Sequence, residues 1–426
     1  MLRNFLNTYR GNLLVFGVTD LLGNIARGMV FPYASLYILA LGGNAATIGL
    51  VALVAQLAGL VLLPVAGHIT DHSDRVRLMV LGGFLSSGFL LLMIFAPTWQ
   101  ILALGVLLSG TVVFTFPVYA SMVADSLPHN ARGMGIGVMN TLSNSLPVFA
   151  PYAAGVILTQ LGTTTGMRLL YGIMFALYLA GAFLQMRFLR EPSPVHRTPL
   201  KLRALLHALD QAYQGIPALL RGMSPPLRAL TVVIVLNFMG AAAVGSFWVV
   251  YAIDQLHLSP AQWGVIMLVE GIVRVILFLP AGALVDRFGR STSLLIALVI
   301  TCLVTPGFFL LPGFALTLAI RAILSAASVL GMSACMALMA DLVPGAVRGQ
   351  TMAAIGQGGL MLSMVGSPGG PSVGYLIIPP LMLASLAGGL LYTWNPTSPW
   401  IFAVAAGLVS VALAAFYIRD PRHTEA

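Results

Sequence analysis

Apolar runs long enough to cross a bilayer recur along the whole chain, separated by short polar stretches. They cover residues 12–39, 46–67, 78–96, 100–124, 134–159, 168–188, 228–253, 262–284, 292–311, 314–340, 350–392 and 400–418. A helix crossing the hydrocarbon core needs about 20 apolar residues. Inside lipid, its backbone amides must find their partners within the same segment. The pattern therefore predicts an all-α integral membrane protein with twelve transmembrane helices. The eleventh run is too long for one simple helix. It holds Gly366-Ser367-Pro368-Gly369-Gly370-Pro371 and then Pro379-Pro380. A broken or kinked helix with an insertion is expected there, and two spans, giving thirteen, is the alternative.

Composition agrees. The 426 residues are 59% hydrophobic and only 8% charged, against about 25% charged in soluble domains. So few charges cannot cover a soluble surface of this size. The 45 glycines suit helices that approach one another closely in lipid. Cys302 and Cys335 lie inside apolar runs, which excludes a disulfide framework. The run after Arg10 is too long for a cleavable leader and carries no clear cleavage site.

The positions of the basic residues explain the net charge of +9. Of the 21 Lys and Arg, only Arg168 falls in an outer segment, while Arg27, Arg274 and Arg321 fall inside spans. The rest gather in inner segments, which predicts an even number of spans with both termini cytoplasmic in the plasma (inner) membrane. The basic excess is thus a topology signal and a contact for lipid headgroups, not a nucleic-acid surface. All five tryptophans fall near predicted outer ends and read as half of an aromatic belt. Residues 189–227 form the longest polar stretch, expected to be a cytoplasmic linker with an amphipathic helix around 200–220. It divides the chain into 1–188, 189–227 and 228–426.

The two parts echo each other. Ala124-Asp125-Ser126-Leu127-Pro128 with Arg132-Gly133 matches Ala340-Asp341-Leu342-Val343-Pro344 with Arg348-Gly349. Gly67, Asp71 and Arg75 match Gly282, Asp286 and Arg290 at nearly the same offset. Parallel six-helix repeats are a transporter architecture with the substrate site at mid-membrane. The later loop reads Gly282-Ala283-Leu284-Val285-Asp286-Arg287-Phe288-Gly289-Arg290. On these residues the chain resembles the major facilitator superfamily, whose signature loop reads roughly G-x-x-x-D-R/K-x-G-R-R/K. The earlier loop departs from it, with His72 at the basic position and Asp74 at the glycine. The resemblance covers essentially the whole chain. It implies two pseudo-symmetric six-helix bundles, with helices 1, 4, 7 and 10 lining a cavity and helices 3, 6, 9 and 12 against lipid. It also implies a cytoplasmic gate of Gly67, Asp71, Arg75, Asp125, Arg132, Gly282, Asp286, Arg287, Arg290, Asp341 and Arg348, bridged when the protein opens outward. From the residues themselves, Asp125 and Asp341 can pair with Arg75 and Arg290. Asp71 and Asp286 can lie against the N-terminus of an entering helix. The alternative is that these charges only anchor loops.

Ionisable groups at membrane depth are costly and mark function. Asp20, Asn24, Arg27 and Phe31 follow helical spacing and share one face of helix 1. Glu270 and Arg274 lie four apart in helix 8, and Arg321 lies in helix 10. A carboxylate poised between burial and a nearby Arg can load and release a proton. Asp20 and Glu270 are the candidates, with Arg27 and Arg274 as modulating partners or anion-binding groups. A static pair at Glu270–Arg274 and a structural bond at Asp20 are the alternatives. Asn140, Asn144, Asn237, Gln56 and Gln357 either line the substrate path or bond helix to helix. Phe31, Tyr33, Tyr119, Phe149, Tyr152, Phe238 and Tyr251 either wall a pocket or face lipid. Pro147, Pro151 and Gly155 permit bending of helix 5; antiporters of the resembled family often carry a Gly-Pro-rich motif there.

Nothing in the sequence reads as an enzyme. There is no phosphate loop and no His/Cys metal spacing; His68 and His72, four apart, read as interfacial residues rather than a metal site. The expectation is a secondary active transporter working by alternating access. It would be a monomer in the bilayer, without cofactor or metal and driven by the proton gradient. Proton-coupled export of a small amphipathic organic molecule, as in multidrug efflux antiporters, is the first reading. Proton-coupled uptake of a sugar, organic anion or amino acid is the second. A non-transporting receptor or scaffold is the third.

Overall fold

The structure, a computed structural model, describes residues 11–127, 139, 143, 145–191, 202–356, 359–360 and 373–418. Among them, ten helices are long and apolar enough to cross a membrane: Asn12–Ala40, Ala45–Ala66, Arg75–Ile94, Trp99–Asp125, Thr163–Phe188, Pro225–Asp254, Pro260–Phe288, Arg290–Leu310, Phe314–Leu342 and Ser398–Tyr417. Two shorter apolar helices, Leu146–Leu161 and Ile378–Trp394, stand at the fifth and eleventh positions. These are helices 1 to 12 below. The linker helix, Leu202–Gly222, is not one of these spans.

Local chemistry sets several boundaries. Asn44 starts helix 2 by accepting the Thr47 amide at 2.9 Å. Ser259 and Gln262 form a capping box at the start of helix 8. The two signature loops enter their next helix differently. Gly289 caps helix 9 at a φ of 88°, a left-handed conformation that suits glycine. Asp74, at the equivalent point, takes a φ of −67° and accepts the Arg77 amide at 3.1 Å. The carboxylate thus replaces the glycine turn with a side-chain cap.

Helix 6 packs on helices 1 and 3, and helix 2 on helix 4. In the other half helix 7 packs on helix 12, and helix 10 on helices 8 and 9. The main seams between the halves are helix 2 with helix 11 and helix 5 with helix 8. At the end that the charge bias assigns to the outside, one apolar core joins both halves. Tyr33, Tyr37 and Ile48 share it with Phe247, Trp248 and Trp400. At the inner end, the described residues form two separate cores. One is built on Phe16, Val118 and Met122, the other on Leu230, Leu338 and Ile377. With the orientation expected from the charge bias, this corresponds to an inward-facing arrangement, closed outside.

Close backbone approach makes the outer closure. A Cβ on Gly155 would lie 2.3 Å from the Pro260 carbonyl, and one on Gly49 would lie 2.7 Å from the Ser385 carbonyl. The Tyr33 hydroxyl lies 2.9 Å from the Pro151 carbonyl and 3.1 Å from the Pro260 carbonyl, spanning both halves. Gln56 donates to Ser385 across the other seam at 3.2 Å.

One expectation changes. Three of the five tryptophans do not belong to a belt: Trp248, Trp263 and Trp400 are fully buried in the outer core, while Trp394 is 83% exposed. Trp248, Phe308 and Trp400 stack edge to face within it, so burying rings to close the outer end outweighs interfacial anchoring. The eleventh run is broken rather than doubled over the described residues. A short helix Arg348–Ile355 stops at Gly356, with a φ of 91°, and Ile378–Trp394 follows later. The Leu376 amide donates back to the Ala354 carbonyl at 2.9 Å. Residues 357–358 and 361–372 lie outside the described residues.

Candidate functional site

Two polar constellations sit at membrane depth, one in each half. In the first, Asp20 of helix 1 accepts a hydrogen bond from the Tyr119 hydroxyl of helix 4. One turn on, Asn24 donates to the Ser143 carbonyl at 2.9 Å and accepts from Arg27 at 2.7 Å. Arg27 also donates to the Tyr178 hydroxyl of helix 6 at 3.2 Å. The guanidinium lies back along its own helix, so a Cβ on Gly23 would be 3.2 Å from it. Asp20 and Arg27 thus tie one face of helix 1 to helices 4 and 6, while Phe31, placed on the same face by spacing, is exposed.

The second constellation is tighter. Glu270 of helix 8 is 4% exposed, and each of its carboxylate oxygens takes one guanidinium. Arg274 donates to Oε1 at 2.9 Å, and Arg321 of helix 10 donates to Oε2 at 2.5 Å. Arg321 is 1% exposed. Its other face meets the Trp248 ring at 4.4 Å, a cation–π contact worth about 2 kcal/mol when desolvated. The Ser325 hydroxyl bonds the Glu270 carbonyl at 2.9 Å, fixing helix 8 against helix 10. Taking ions from water costs several kcal/mol each, and the bidentate clamp with the aromatic lid offsets that cost. Arg274 is 37% exposed. It lies one turn beyond Gly271, whose Cβ would touch Val148 of helix 5 at 2.9 Å, so Arg274 borders the seam between the halves.

Formal charges set the field. Asp20 and Arg27 cancel, while Glu270 with Arg274 and Arg321 sums to −1 + 2 = +1.

The signature residues pair as spacing suggested. Arg75 meets Asp125 at 2.7 Å, and Arg290 meets Asp341. Each bridge stays within one half, tying helix 3 to helix 4 or helix 9 to helix 10. As a correction, these two bridges do not themselves join the halves, and both exist with the inner end open. Both pairs are partly solvated, so Asp125→Asn should change the unfolding free energy by no more than about 1 kcal/mol. Denaturant titration of the purified protein checks this. Asp286 sits near the inner end of helix 8, and Arg287 lies 5.9 Å from the Phe288 ring. Arg348 reaches the Ala340 carbonyl at 3.5 Å, and Gly282 faces open space.

Asn237 is turned away from the partner half. It donates to Val233 and, at 3.2 Å, to Ser410 of helix 12. It lines a cavity of about 30 Å3 with Thr301 and Cys302, so it is a helix-to-helix bond rather than part of the seam. Asn140, Asn144, Gln357 and Arg132 lie outside the described residues, as do the side chains of His68, Asp71 and His72, while Gly67 lies within the helix Ala45–His72. Sequence reasoning missed Tyr178 and Ser325 and did not join Arg321 to Glu270. A tyrosine hydroxyl inside a span needs a partner, and that signal pointed to Tyr178.

Comparisons with known proteins agree with this geometry. The family model described as Major Facilitator Superfamily matches residues 19–229 and 230–426. The multidrug resistance protein MdtG of Serratia proteamaculans is 24% identical over 301 residues, covering 69% of this chain and 70% of that protein. The MdtG of Salmonella arizonae is 25% identical over 303 residues, covering 69% and 72%. Among solved structures, a bacterial homologue of the iron transporter ferroportin in its inward-facing state superposes with a TM-score of 0.70 at 16% identity, covering 95% of this chain and 97% of that one. A D-xylose–proton symporter gives 0.64 at 13% identity, covering 96% and 97%. The twin signature loops, the apolar helices and the family match across the chain make this multi-pass membrane protein a transporter of the major facilitator superfamily, not an enzyme.

Proposed function

We propose that this chain exports a small amphipathic organic molecule across the inner membrane in exchange for protons, by alternating access. The supporting observation is Glu270, a buried carboxylate clamped between helices 8 and 10 beside the seam. Protonating it would leave two guanidiniums without a counter-charge. The proton state of Glu270 therefore biases how the second half packs, and such a bias is what couples a proton to a conformational switch. Asp20 supplies a second acid on the opposite half. The scarcity of buried charges suits an amphipathic cargo, and the relatives named for multidrug resistance favour export. The proposal uses one chain in the bilayer, both termini cytoplasmic, with the proton gradient as driving force and no cofactor.

Everted vesicles carrying the protein should accumulate a compound that also stabilises it on heating. A protonophore should abolish that accumulation. Accumulation that persists without a gradient would overturn the exchange.

The local charge favours a second reading, uptake of an organic anion together with protons. A centre of net +1 draws an anion to Arg274, and protonating Glu270 strengthens that attraction, so the two would travel together. The direction of proton movement separates the readings: on substrate addition, protons run with an anion and against an exported drug. A receptor without transport predicts no flux of either kind.

A further inference from the structure

Pro64 lies inside helix 2, whose full extent is Ala45–His72. Proline has no N–H, so the carbonyl four residues earlier, that of Leu60, loses its helical partner. An unmet carbonyl in an apolar surround is costly. The Tyr213 hydroxyl, from the linker helix, donates to the Leu60 carbonyl at 2.6 Å.

Tyr213 is anchored in the other half. Its ring meets Tyr375 edge-on, with centroids 5.8 Å apart and planes at 72°. Ile216 and Leu220 follow it at helical spacing and pack with it on the inner core of the second half. Tyr375 stands where the chain re-enters helix 11, its amide bonded to the Ala353 carbonyl at 3.3 Å. Leu60 and Leu63 reach the same core from helix 2. One hydroxyl therefore joins a proline kink in the first half to the core of the second.

We propose that the linker helix is a conformational strap, and that Tyr213 is the positioning residue that holds helix 2 kinked in the inward-facing arrangement by taking the carbonyl that Pro64 frees. The hydrogen bond crosses between bodies that move relative to each other, so switching outward must stretch or release it. The inference needs alternating access but neither the direction of transport nor the driving ion, so it stands or falls separately from the exchange proposed above.

A double-mutant cycle tests it. Labels at the exposed inner-end residues Arg187 and Arg287 report how far the halves part, and the two native cysteines are buried. Tyr213→Phe keeps the ring and removes the donor. It should lower the inward-open to outward-open ratio about fivefold, the equivalent of one hydrogen bond of about 1 kcal/mol. Pro64→Ala restores the amide that bonds Leu60, so adding Tyr213→Phe to it should change the ratio less than twofold. Thermal unfolding of all four proteins separates a shifted ratio from lost folding. A Tyr213→Phe effect of equal size in both backgrounds, or no effect in the wild-type background, would overturn the strap.

Discussion

Glu270→Ala is expected to lower the unfolding free energy by about 3–5 kcal/mol, the usual cost of removing one partner from a buried ion cluster. The loss comes mainly from Arg321, which is buried against Trp248 and loses the carboxylate that balances its charge. Arg274 can turn toward the seam and stay solvated. Removing both ends together, as Glu270→Ala with Arg321→Met, should return most of the stability, because two apolar side chains pack where an ion pair stood. Denaturant titration followed by tryptophan fluorescence reads both, since Trp248 stacks on Arg321. Equal losses in the single and double variants would show that the site's worth lies in packing rather than charge.

The outer closure yields the second large effect. Gly155→Val puts atoms where the Pro260 carbonyl and the Tyr33 hydroxyl now lie, at 2.3 and 2.7 Å from the ideal Cβ. Gly49→Val meets the Ser385 carbonyl on the other seam. Overpacking of this kind costs about 1–3 kcal/mol, paid only when the outer end is closed. Each variant should therefore shift the population toward the outward-open form by roughly 5–150-fold and slow transport with it. Alkylation of a cysteine introduced at Ile48, buried in the same outer core, should speed up accordingly. An unchanged alkylation rate in both variants would mean that these glycines do not form the gate.

Much of this was legible from the residues. Spans, linker and repeat followed from hydropathy and charge, because lipid leaves the backbone few choices. The helix-1 face was legible from spacing alone, and so was the pairing of Arg75 with Asp125 and of Arg290 with Asp341. Contacts between distant helices were less so. Arg321 lies 51 residues from Glu270, and only packing of helix 10 on helix 8 brings them together. Tryptophan position along the chain did not reveal burial, because an outer end can face lipid or a closed gate. Residue type alone leaves Asn237 open between the substrate path and a helix-to-helix bond, and its contact with Ser410 of helix 12 is the latter. The replacement of a glycine turn by the Asp74 cap was invisible to a motif, since both satisfy the same helix start.

The central claim is that rare acids at bilayer depth carry the coupling between a proton and a moving bundle. The direct measurement is transport of one stabilising compound in proteoliposomes, run both as gradient-driven accumulation and as exchange without a gradient. In Asp20→Asn and Glu270→Gln, at least one should lose gradient-driven accumulation while keeping exchange. Accumulation that follows the pH gradient undiminished in both variants would contradict the account.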